Sequence, residues 1–332
     1  MRRRQPTALG GPVMRTATRL AARIGWTLLA LGVLSVLIFI AMNYKSPEEI
    51  ARAAVGRTAT RDQLDAYATA HGLYDPLPTR YLSWLGHAVT GDLGVSPITN
   101  RPVAGVILPE LARTLTLAGL GVVIGIPSSI ALGTFMARRK GSRSDIGFLM
   151  ASVALAATPE FVIGLGLLMI FGVWLGWLPI ESGSAFAFGT GTQQIMAYVL
   201  PALTVAVAII PHMYRFVRTA VHEGLQAPFV EAARLRGLPS RTIHWDFVMR
   251  NSAAPIINAA AFNIVFAVSG LVAIETVTSF PGIGDHLVQA IAQGDAITVQ
   301  AIALILATVV LVVFLLADLL TLALNPRLRL SR

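Results

Sequence analysis

The chain contains no cysteine, which excludes disulfides, thiolate metal sites and thiol nucleophiles. It is poor in charge: 13% of its 332 residues are charged, against about 25% in soluble domains. Lysine occurs only at Lys45 and Lys140. Neither follows the glycine run of a G-x-x-x-x-G-K-[ST] loop, so the chain lacks that cradle for nucleotide phosphates. The six histidines form no H-x-x-x-H or H-E-x-x-H spacing, and no metal site or other cofactor is expected in the chain. Apolar residues dominate instead, at 55%, with a mean hydropathy of +0.68. The formal net charge of +9 would suit a nucleic acid. The arginines, however, cluster beside apolar runs, the pattern of membrane topology, so no nucleic-acid partner is expected and membrane lipid is.

Crossing a bilayer takes about 20 apolar residues. Five charge-free windows qualify, 24–44, 114–137, 182–214, 251–274 and 296–317, and a sixth, 146–180, carries only Glu160. The window 182–214 opens on a Gly/Ser/Thr-rich stretch, which puts the start of its helix near Ile195. The expected class is an all-α polytopic membrane protein with six transmembrane helices. Arginine-rich segments mark the cytoplasmic side: Arg2, Arg3 and Arg4 in the first 23 residues, Arg138 and Arg139 after the second span, Arg215 to Arg250 after the fourth, and Arg327 to Arg332 at the end. Both termini are therefore expected in the cytoplasm. The apolar run at 24–44 is too long for a cleaved leader and reads as an anchor. This divides the chain into a basic extension (1–23), a first span (24–44), an outside helical segment (45–110), a five-span core (111–325) with an inner loop (222–250), and a tail (326–332).

In the outside segment Ser46-Pro47-Glu48-Glu49 and Thr60-Arg61-Asp62-Gln63 both have the form of a capping box, and Gly72 suits a helix stop. A third helix, about Thr79 to Thr90, puts Tyr81, Trp84, Leu85 and Ala88 on one face. That face suits either the headgroup level of a membrane or a cap packed on the bundle. In the inner loop Pro228 opens a short helix ending at Gly237, and Ser240 is placed to cap a second. Glu231 and Arg234 are spaced to pair, Ala232 and Ala233 leave the backbone open to close approach, and Phe229 is placed to enter a partner's groove.

The spacing Glu231-Ala232-Ala233-x-x-x-Gly237 resembles the loop signature of permease subunits of ATP-binding-cassette importers. Arg250-Asn251 with Pro255 resembles the oligopeptide/dipeptide/nickel branch, as do Gly91-Asp92-Leu93-Gly94-Val95-Ser96 with Arg101-Pro102-Val103, and Glu275-Thr276-Val277 with Phe280-Pro281-Gly282-Ile283-Gly284. Asp318-Leu319-Leu320 with Asn325-Pro326-Arg327 closes the match, Asn325 standing where the family usually has Asp. The resemblance implies an import subunit of a bacterial inner membrane, with di- or oligopeptides as cargo, that is not itself an enzyme. It implies a second homologous permease, one or two cytoplasmic ATPase subunits that bind ATP and Mg, and an extracytoplasmic substrate-binding protein. Phe229, Glu231, Ala232, Ala233, Arg234, Gly237 and Leu238 would then dock on an ATPase.

Glu160, inside an apolar window, reads as a translocation-path residue or as a solvated group at a helix break. Asn258, Asn263 and Ser269 are further path candidates on the fifth span. Glu275, Phe280, Pro281, Gly282 and Gly284 are candidates for an outer gate or a binding-protein contact, with a positive φ expected at the glycine of the Pro-Gly turn. Asp285 to Gln293 reads as a short helix folding back to the membrane. The alternative is a stand-alone ion-coupled transporter, a class that places several ionisable groups mid-span, where this chain offers Glu160 alone.

Overall fold

The computed structural model describes residues 12–56 and 58–324, with side chains from 21 to 320. The basic residues Arg2 to Arg4 and the closing Asn325-Pro326-Arg327 lie outside the described residues. The described secondary structure comprises fourteen α-helices, α1 (Pro12–Asn43), α2 (Pro47–Val55), α3 (Arg61–Ala70), α4 (Leu77–Val89), α5 (Val103–Ala137), α6 (Arg143–Ala156), α7 (Glu160–Leu167), α8 (Ser182–Phe188), α9 (Gly191–Leu225), α10 (Pro228–Leu235), α11 (Ser240–Thr242), α12 (Arg250–Val277), α13 (Ile283–Gln293) and α14 (Ala296–Leu324), and two π-helical segments, Leu168–Trp174 and Ile243–Met249. Among the described residues five continuous helices are long and apolar enough to span a membrane, six if a bent pair counts as one span.

Three of these spans depart from their sequence windows in shape or in where they begin. The window 146–180 is not straight: Arg143–Ala156 and Glu160–Trp174 meet at 108°. Pro159 removes a backbone donor and biases Thr158 away from helical geometry, so the chain turns there. The helix of the fourth window begins at Gly191, not near Ile195, because Thr190 and Gln193 form a capping box in its polar lead-in. The fifth is longer than its window. A π-helical turn, Ile243–Met249, joins α11 to α12 in one 38-residue run, Ser240–Val277. Ser240 is thus inside the helix, with Pro239 at the cap position.

The bundle is organised by α9, which packs along α5 and also meets α6, α7, α8 and α12. Lipid tails provide no hydrophobic drive for helix association, so close backbone approach must supply the contact. On α5, Gly121, Gly125, Ser129 and Gly133 recur every fourth residue and are all buried. A Cβ at Gly121 would stand 2.3 Å from Val205 Cγ1, and one at Gly133 would stand 2.8 Å from Val217 Cβ. The main core continues through Ile209, Met213, Val217, Val248 and Leu271. At the edge, α1 packs on α14, and Arg23 meets Asp318 at 2.5 Å.

Both capping boxes of the segment after α1 form: Ser46 Oγ accepts from Glu49 N (3.3 Å) and Thr60 Oγ1 from Gln63 N (3.4 Å). Ala51, Leu64, Ala68 and Leu73 make a small core between α2 and α3. α4 is fastened to the end of α1. Tyr81 Oη and Ser35 Oγ are 2.8 Å apart, and Phe39 packs on Tyr81 and Trp84 with ring centroids at 5.5 and 5.7 Å. The aromatic face of α4 therefore packs on α1.

Gly121→Ala is expected to lower the thermal stability of the purified protein through an overpacking cost of ~1–3 kcal/mol. Gly119→Ala, two residues away with nothing within 4 Å of a new Cβ, is expected to melt like wild type. Equal melting of the two variants would contradict the close-approach account.

A protruding helix and a carboxylate-locked turn as candidate functional sites

At one end of the bundle, α10 projects between α9 and α11. Pro228 opens it, and Gly237, with φ +74°, ends it as the sequence pattern requires. Val230 and Ala233 are buried in the main core, and Leu238 is half-buried against it. Glu231, Ala232, Arg234, Leu235 and Gly237 are exposed, and so, marginally, is Phe229. Of the paired alanines, only Ala232 is open to an approaching surface; Ala233 anchors the helix to its own chain. No ion pair joins Glu231 to Arg234 among the described residues. The helix stands next to the π-helical turn of the long run Ser240–Val277, in which His244 is buried with neither ring nitrogen hydrogen-bonded among the described residues.

Near this end Asp145, almost fully buried, accepts from Arg218 Nε and Nη2, both at 2.6 Å. This bidentate pair ties the first turn of α6 to α9.

At the bend between α6 and α7, Glu160 starts α7 beside α12, where its carboxylate lies against Gly270. A cavity of about 220 Å³ opens there, lined by Thr158, Pro159, Glu160, Ala208, His212 and Phe266. Glu160 is half-buried, and no hydrogen bond or ion pair holds it among the described residues. Asn258 and Ser269 lie on the exposed face of α12 with Phe262. Asn263 points the other way. It is buried, with Nδ2 donating to the Ala259 carbonyl at 2.8 Å.

The opposite end is closed by Glu275, which has no exposed surface. Its Oε1 accepts from Thr114 Oγ1 (2.6 Å), and its Oε2 accepts from the backbone of Gly284 (2.8 Å) and Asp285 (3.2 Å). The carboxylate thus sits on the first turn of α13, where unpaired amides and the helix dipole favour a negative charge. Gly282 and Gly284 leave room for it: a Cβ on Gly282 would lie 2.3 Å from Glu275 Cδ. The positive φ expected at the Pro-Gly turn is instead at Ser279 (+47°), while Gly282 is extended (φ −102°). Gly282 is needed for space and not for conformation. Phe280 is also fully buried, edge-on to Phe186 and Tyr198, and Arg113 Nε donates to the Pro281 carbonyl at 2.6 Å. Glu275 and Phe280 therefore hold the turn from inside; of the five candidates the half-buried Pro281 alone has accessible surface, beside the exposed Ser279. Beside it, His286 Nδ1 is 2.7 Å from Glu110 Oε2.

The profile of binding-protein-dependent transport system inner membrane components matches residues 129–330, and that of their N-terminal portion matches residues 18–118. The chain belongs to this family. It is 31% identical over 309 residues to the dipeptide transport system permease protein DppB of Lactococcus lactis, a match covering 93% of this chain and 98% of that one. The oligopeptide permease AppB of Bacillus subtilis is 31% identical over 273 residues (81% and 85%). The glutathione permease GsiC of Pectobacterium atrosepticum is 30% identical over 298 residues (90% and 94%). As an inner-membrane permease of an ATP-binding-cassette importer, the chain belongs to a family of transport components rather than enzymes, whose members work with ATPase and substrate-binding partners.

Against that identity, the positions of the permease's candidate residues are informative. Glu275, Phe280, Gly282 and Gly284 converge on one turn, and α10 brings the loop-signature residues together. Thr114, Asp145, Arg218 and His212 escaped the sequence reading. Their partners lie tens of residues away, and no local spacing announces them. The i+4 glycine spacing of α5 was available as a signal and went unused.

Glu275→Gln replaces one acceptor oxygen with a donor facing donors, and is expected to lower stability by ~1–3 kcal/mol in thermal unfolding. Gly282→Ala should do at least as much, and a wild-type melting point in both would remove the lock. A second prediction concerns pH. The Glu110 carboxylate at its Nδ1 raises the His286 imidazole above its ordinary 6.5; Asp295 and Asp285 add to this and burial opposes it. Arg113, 3.8 Å from Glu110, is the other charge in the cluster. A raised folded value contributes stability that is complete below pH 6.5 and fades as pH climbs through the folded value. The melting advantage of wild type over His286→Gln is expected to be largest in acid and to vanish in alkali.

Proposed function

We propose that this permease forms half of a translocation pathway for di- or oligopeptides, paired with a second homologous permease and driven through α10 by separate ATPase subunits that bind ATP and Mg. The observation that carries this reading is the geometry of α10. It offers an exposed Glu231–Ala232–Leu235 surface, is rooted in the core at Val230 and Ala233, and stands against a π-helical joint leading without a break into α12. A push on α10 therefore has a continuous helical route into a span. Such π turns often mark places where helices are altered for function, and the unsatisfied His244 fits a joint that a second arrangement relaxes.

Arginine supports the orientation. Arg138, Arg139, Arg215, Arg236 and Arg241 gather at the α10 end, which is taken as cytoplasmic, while 278–295 at the other end has no Lys or Arg. Nucleotide-driven closure of the ATPases would rock the bundle between inward- and outward-facing states. Glu160, Asn258 and Ser269, joined by His212, are assigned to the path; Asn263 backs it from the bundle side. The binding protein docks at the α13 end, where Glu275, Phe280, Gly282 and Gly284 stiffen the turn and Pro281 meets the partner. The dipeptide, oligopeptide and glutathione permeases among the relatives support peptides as the cargo class.

The absence of native cysteine makes the test clean. In the assembled transporter, Ala232→Cys is expected to crosslink to an ATPase subunit bearing an introduced cysteine. Ala232→Arg is expected to lower ATP-dependent peptide uptake about tenfold or more while the chain still inserts. ATP hydrolysis by the purified permease alone, or undiminished uptake with Ala232→Arg, would overturn the proposal.

A further inference from the structure

Away from the proposed path, a cavity of about 380 Å³ lies between the α2–α4 cap and the adjoining ends of α1 and α14. This is within the range of small-molecule sites. Its position is the boundary of the apolar spans: α1's span ends at Asn43 and α14's begins at Ala296, and both ends line it. Phe39, Met42, Ile50, Leu73, Trp84 and Ile297 give it apolar walls. One corner is polar and is not self-sufficient. Arg80 is half-buried, and its guanidinium is spent on two neutral oxygens, Asn43 Oδ1 and, at 3.5 Å, the Leu73 carbonyl. Among the described residues no carboxylate lies within ion-pair distance of it; Asp75, on the rim, is exposed. Burial lowers its pKa, and the charge of the exposed Asp75, beyond ion-pair distance, opposes this only in part. Gln300 is only 7% exposed; its Oε1 takes a 3.5 Å bond from Asn43, and its Nε2 has no partner among the described residues.

A half-buried cation and an unused amide donor at the apolar–polar boundary, set at the head of an apolar slot, define an amphiphile's shape. We propose that this cavity binds a single acyl chain carrying an anionic oxygen head group, the chain lying against Phe39 and Trp84 and the head oxygens facing Arg80 and the Asn43–Gln300 corner. The ligand comes from the bilayer that meets the cavity, as a lipid phosphate or a fatty-acid carboxylate. Both satisfy the same donors, and an ionised acceptor on a guanidinium is the stronger class of hydrogen bond. The site does not depend on how the transporter is driven, so it stands or falls separately from the coupling role of α10.

The test is photolabelling of the full-length permease, in its complex in nanodiscs, with diazirine-bearing palmitate in one arm and diazirine-bearing phosphatidylglycerol in the other, mapped by peptide mass spectrometry. Saturable label is expected on Met42, Trp84 or Ile297 with at least one probe, and the probe that labels identifies the source. Arg80→Ala should cut labelling roughly tenfold, Arg80→Lys should retain most of it, and Ala54→Trp, which fills the slot, should abolish it. Melting curves and uptake close to wild type show that these variants fold. Labelling that is unsaturable, unchanged in Arg80→Ala and Ala54→Trp, or no denser than at lipid-facing Leu29 overturns the proposal. Loss of all label on adding inorganic phosphate alone also overturns it, in favour of a free-anion site.

Discussion

The structure depends on how closely α5 and α9 approach. In a bilayer, apolar side chains gain nothing by leaving lipid for one another, so two spans hold together only where their backbones come close enough for dense van der Waals contact. Gly121, Gly125 and Gly133 permit that against Val205, Ala206 and Val217. Everything else is referred to this pair. α12 and the bent α6–α7 pair lie on α9, and the first turn of α13 is tied to α5 through Thr114, whose Oγ1 accepts from Ile283 N at 3.0 Å. Loosening α5 from α9 would displace both ends at once.

The two ends are built differently. At the α13 end the turn after α12 is fixed by a buried carboxylate with three donors, an aromatic cluster at Phe280, and Arg113 on the Pro281 carbonyl. Each buried polar group there is satisfied, and such networks rigidify. At the α10 end the helix rests on two small buried side chains, Val230 and Ala233, beside a π turn and an imidazole with no partner among the described residues. A rigid end and a compliant end on the same helical run suit a lever that is pushed at one end and pivots at the other.

Sequence legibility followed the range of the interaction. The spans, both capping boxes, the ends of α10 at Pro228 and Gly237, and the α13 helix were readable because local composition and i to i+3 spacing determine them. The 108° bend at Pro159 was foreshadowed by Pro159 but hidden by an apolar run that reads as one long window. Gly282 shows the limit more clearly. Its neighbours suggest a turn glycine chosen for φ, whereas the carboxylate of Glu275, seven residues earlier and folded back, excludes a Cβ. Asp145–Arg218 and Thr114–Glu275 span 73 and 161 residues, and only the assembled bundle brings them together.

Acids buried in a membrane bundle carry a solvation cost that must be offset. Asp145 offsets it with a bidentate arginine and Glu275 with three hydrogen bonds, and both thereby become structural. Glu160 has neither. It stands at a break in a span, beside a cavity shared with His212, against a glycine of α12 that lets it come close. A half-buried carboxylate with no hydrogen bond or ion pair among the described residues carries that cost without a local return. That contrast is the physical ground on which Glu160, and not the better-bonded acids, is proposed as a path residue.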